Sequence, residues 1–202
     1  MLVRKWTLNG LLVQDLSKIN LQSSTNYLGI ERFHSWPLSC KTDIASKTLT
    51  EEAEDKWFNY FYDRKQTKYS LAVVPSIEYI QRYLSVCQKY KLNVRVLFVE
   101  TDREDPVWDG PYYHNKFLGF DYGTTQDFFS VLYDDMYGKE DISLFIPLKL
   151  ALNKYGLFNT ENELNSYINA REEAIKEGHN LEETGDFCRF KISTIDLNHL
   201  YR

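Results

Sequence analysis

Apolar and polar positions along this 202-residue chain alternate in some segments with a period of two and in others with a period near 3.6, and the switches mark out its elements. WTLNGLLV at 6–13 reads as a hairpin, with Asn9-Gly10 supplying the two positive-φ residues of a tight turn. Residues 20–47 are rich in Ser, Thr and Asn and irregular, with at most a short strand near 27–33. A helix is expected from Thr48, where Thr48 and Glu51 fit a capping box and Glu51, Glu52, Glu54 and Asp55 face the positive end of the helix dipole. Ala53, Trp57, Tyr60 and Phe61 form one stripe and Phe58 and Tyr62 a second, which predicts burial between two layers, the alternative being that one aromatic face is an interface.

YSLAVV at 69–74 has strand composition. Pro75 then opens a helix with Ile77, Ile80, Leu84 and Cys87 at helical spacing, and VRVLFVE at 94–100 is a second strand. Strand, crossover helix and strand within about thirty residues predict a parallel pair. Strands are next expected at 114–122 and 127–134, paired across a loop at 123–126. In that register Tyr122 faces Asp127, Phe120 faces Phe129 and Leu118 faces Val131. Asp134 and Asp135, being adjacent in a strand, would point to opposite sides.

Pro147 starts a short helix that Gly156 closes. Thr160 and Glu163 make a second capping box, for a helix that turns Leu164, Tyr167, Ile168 and Ile175 inward and stops near Gly178. FCRFKISTI at 187–195 is a final strand. The elements predict one domain over 1–202, of α/β or α+β class. Its mixed sheet would hold one parallel strand–helix–strand unit and an antiparallel hairpin, with helices packed on it.

Composition adds a compartment. Hydrophobic residues make up 43% of the chain and charged residues 26%, as in globular proteins. Basic residues near the N-terminus have no apolar run behind them, and SLFIPLKLAL at 143–152 is too short to cross a bilayer. Cys40, Cys87 and Cys188 are widely spaced with no CxxC pair. A cytoplasmic protein without membrane association is the expectation.

Charge is unevenly placed. Residues 1–101 hold 14 basic and 10 acidic side chains, a net of +4, whereas residues 102–141 hold 3 basic and 10 acidic, a net of −7. Such a segment repels nucleic acid and suits a basic protein surface. Within it, EDPVWDGPYY at 104–113 is a stiff loop that sets Trp108 among acids. The aromatic share of 15% adds to the case for an interface. Asp105, Trp108, Asp109, Asp121, Asp134 and Asp135 are the candidate partner-binding residues.

Catalytic signatures are sparse. His34, His114, His179 and His199 are scattered, and neither GxSxG nor GxxxxGK[ST] occurs. DDMYGKED at 134–141 lacks the spacing of a calcium loop. Glu100 and Asp102 near a strand end are similar to the acids of metal-dependent nucleases, but the lysine due two residues after the acid is missing, since that position is Asp102. A hydrolase or metal-dependent enzyme using Glu100, Asp102, Asp121 and Asp134 is therefore the alternative to a binding role. A structural or phage-assembly component, which predicts a defined homo-oligomer, is a third.

The succession KFLGFDYG, FFSVLYDD, LNKYGLFNTENELNSYI and LEETGDFCRFKISTI, within about 70–195, resembles small uncharacterised bacterial proteins that include immunity proteins, which neutralise toxins delivered between competing cells. The resemblance implies an intracellular protein that binds and blocks a toxin and needs no cofactor.

Overall fold

The computed structural model describes residues 6–15, 94–102, 116–124, 129–137, 141–181, 185 and 187–195, together with Gln81, Leu84, Ser85 and Gln88. The helix expected from Thr48, the irregular 20–47 segment, the strand at 69–74 and the loop at 104–113 lie outside these residues. Gln81, Leu84, Ser85 and Gln88 are helical, and Leu84 is fully buried, as the apolar spacing after Pro75 predicts.

Among the described residues, five strands form one sheet in the order β1-β2-β5-β3-β4: β1 Thr7–Asp15, β2 Val94–Thr101, β3 Lys116–Thr124, β4 Phe129–Ser130 and β5 Phe187–Thr194. All pairings among the described residues are antiparallel. Along Leu97–Thr101, β2 has β1 on one side and β5 on the other, so the sheet has no place for a parallel neighbour there. The last strand, β5, inserts between β2 and β3. This chain order gives a mixed α/β architecture around an antiparallel sheet.

The expected hairpin at 6–13 is instead one strand. Asn9-Gly10 does not reverse the chain; a bulge between Leu8 and Gly10 absorbs the extra residue, and the ladder continues to Asp15 opposite Val94. An eight-residue partner strand can satisfy the whole of β1, whereas two three-residue arms could bond only to each other.

The hairpin expected from strands at 114–122 and 127–134 is also only partly realised. Gly123 lies opposite Ser130 and Thr124 opposite Phe129, and β4 ends after two residues. Phe120 bonds with Phe158 instead of pairing with Phe129, by N–H···O contacts of 2.8 and 3.0 Å in the two directions. Residues Val131–Tyr137 form helix α1. The physical reason lies in VLYDDM: Val131 and Leu132 are adjacent and both buried, as are Asp135 and Met136. A strand would send alternate residues to opposite faces, while a helix buries i, i+1, i+4 and i+5 together.

A 3-10 turn at Ser143–Phe145 leads into α2, Ile146–Ala151, with Pro147 in its first turn. The helix ends at extended Leu152, and Gly156 belongs to the following turn, with φ +71°. Helix α3, Glu161–Lys176, carries the expected capping box. Thr160 Oγ1 accepts from the Glu163 N–H at 3.2 Å, and Glu163 Oε2 accepts from the Thr160 N–H at 2.9 Å. Leu164, Tyr167 and Ile168 are buried as predicted, Ile175 only half-buried.

Core residues divide between the two faces of the sheet. Leu97, Val99, Leu118, Leu157, Cys188, Phe190 and Ile192 pack together in one cluster. Phe120, Leu132, Met136, Phe145, Phe158, Leu164 and Tyr167 belong to the other, where α1 and α3 join the sheet. Gly119 allows residues 153–158 to close on β3. It has φ +152°, and a Cβ there would stand 2.5 Å from Leu157 Cβ and 2.7 Å from the Phe158 carbonyl oxygen. Asn153 secures the same approach by donating from Nδ2 to the Leu118 carbonyl at 2.8 Å. No described helix is long and apolar enough to cross a membrane.

Candidate functional site

Two groups of charged side chains stand out, and both are built across elements distant in sequence. In the first, Asp135 on α1 meets Tyr167 and Arg171 on α3. Tyr167 and Arg171 are four residues apart and so share one helix face. The Tyr167 hydroxyl donates to Asp135 Oδ2 at 2.5 Å, and Arg171 Nε donates to the same oxygen at 2.6 Å. Asp135, Arg171 and Tyr167 are all buried, which makes these charge-assisted bonds strong and their loss costly.

Aromatic rings enclose this group. The Arg171 guanidinium lies 4.8 Å over the Phe187 ring, Phe187 stacks on Tyr122 at 5.5 Å, and Tyr122 meets Tyr167 edge-on at 6.1 Å. Burial above all pushes the Tyr167 hydroxyl well above the usual phenol range. The negative charge of Asp135 and the hydrogen bond to it add to the shift. Tyr167 is thus held as a neutral donor, and the group acts as a clamp between α1 and α3.

The second group runs across β2 and β5. Lys191 lies opposite Glu100 in the ladder, its Nζ 2.8 Å from Glu100 Oε2. The contact lacks hydrogen-bond alignment, so the attraction is coulombic. Just past the end of β2, Asp102 Oδ2 accepts from Arg189 Nη1 at 2.9 Å and Asp102 Oδ1 accepts from the Arg189 N–H at 3.1 Å. Arg189 and Lys191, two apart on β5, share a sheet face. Lys191 thus stands beside Glu100 from a strand 91 positions later in the chain. Its sequence signal is the alternation of Arg189 and Lys191 in FCRFKIST, which sets two cations on one face.

Of the candidate partner-binding residues named from sequence, only Asp121 and Asp135 have described side chains. Asp105, Trp108 and Asp109 lie outside the described residues, as does the Asp134 side chain, although its backbone is helical in α1. Asp121 and Asp135 are buried, at 1% and 6% exposure, and do not contribute to an exposed acidic surface. Asp121 Oδ1 accepts from the Tyr122 N–H at 2.7 Å. Asp135 turns inward because α1 is helical. Among the described residues, no group of three or more His, Cys, Asp or Glu could hold a metal ion.

Sequence reasoning passed over one surface feature. Ile146 and Leu150, one turn apart on α2, are 48% and 85% exposed. Beside them Lys149 lies 3.7 Å from exposed Asp141.

Comparisons with protein-family models, with curated proteins and with solved structures find no match to this chain.

Proposed function

We propose that this chain is an intracellular protein-binding module of the immunity type, which blocks a bacterial toxin by covering a basic surface with its acidic segment. The observation that carries this reading is the net charge of −7 over 102–141 in a chain whose first half is positive. A concentrated field of one sign accelerates encounter with a partner of the other and suppresses wrong partners. Burial of Asp121 and Asp135, and the pairing of Asp102 with Arg189, remove three of those acids from direct contact. Asp105, Asp109 and Asp134 are the acids assigned to the partner, with Trp108 as the aromatic anchor. The test is co-expression with the product of the neighbouring gene, since an immunity protein is encoded beside its toxin. Rescue of growth that fails when Asp105, Asp109 and Asp134 are changed to Asn supports the reading, and absence of any rescue by the unaltered chain rejects it.

A second reading, an acid-dependent hydrolase, draws on Glu100 beside Lys191 and on Asp102 just past the end of β2. Hydrolysis of a small ester or phosphodiester substrate without added metal, lost in Glu100→Gln, would support it. No cleavage by the unaltered chain would reject that reaction.

A further inference from the structure

We draw no further inference here: the strongest candidate, the exposed apolar pair Ile146 and Leu150 on α2 beside Asp141, is an unpartnered helix face, and nothing in the structure shows what covers it.

Discussion

Tyr167 and Arg171 place their donors on one and the same oxygen, Oδ2 of Asp135, at 2.5 and 2.6 Å. A single carboxylate therefore fixes the seven-residue helix α1 against α3. Replacing Asp135 with Ala leaves the Arg171 guanidinium buried without this partner, and the expected cost is about 3–5 kcal/mol. Arg171→Met combined with Asp135→Leu should cost clearly less than the sum of the two single changes, because no charge is then stranded. Urea denaturation of the four proteins measures the coupling, and strict additivity would show that the clamp does not hold the helices together.

Tyr167 gives the same clamp a pH dependence. Its folded-state pKa lies above the ordinary value of 10.0. The unfolded chain therefore loses this proton first as pH rises. Stability from this group is fully present below about pH 10 and declines above it, as the unfolded state ionises while the folded state resists. Half-buried Tyr122, also raised by burial, acts in the same direction. Urea midpoints followed from pH 8 upward should fall beyond about pH 10. The fall should be shallower in Tyr167→Phe, which itself costs about 1.5–3 kcal/mol at neutral pH by removing a hydrogen bond to a charged group. An unchanged slope in that variant would remove Tyr167 from the account.

Gly119→Ala should be among the most damaging single-methyl additions in the chain. The new Cβ would meet Leu157 Cβ and the Phe158 carbonyl at distances no real Cβ tolerates, on a backbone at φ +152°. A loss of about 2 kcal/mol or more is expected from strain and overpacking together. A thermal melt within a degree of the unaltered protein would mean that residues 153–158 do not close on β3 as described.

Asp105→Asn with Asp109→Asn and Asp134→Asn should leave the urea midpoint nearly unchanged. With a toxin partner in hand, they should lower the association rate and flatten its dependence on salt. Asp121→Asn should do the reverse, lowering stability because the residue is 1% exposed and adding nothing to the salt effect. Equal salt slopes in the triple variant and the unaltered protein would dismiss electrostatic steering by these acids.

What the sequence determined by itself is what local chemistry decides. Helix α3 begins where Thr160 and Glu163 promise and buries Leu164, Tyr167 and Ile168, since capping and a 3.6-residue stripe involve only near neighbours. Strands β2 and β5 were legible as β-rich runs, the first buried throughout 96–101 and the second alternating along 187–192. Partner choice was not legible. Asn9-Gly10 has the chemistry of a hairpin turn, yet β2 offered a longer ladder and turned it into a bulge. Phe120 left Phe129 for Phe158, and VLYDDM became helical because the core takes adjacent residues that a strand cannot bury together. Those choices also decided which acids are available. Asp135 and Asp121 look like surface charges when read along the chain, and only the packing of α1 on α3 and of β3 in the sheet turned them inward. Likewise Lys191 came beside Glu100 only because the last strand entered the sheet between β2 and β3. Long-range pairing follows from the burial available to the whole chain, which no short stretch specifies.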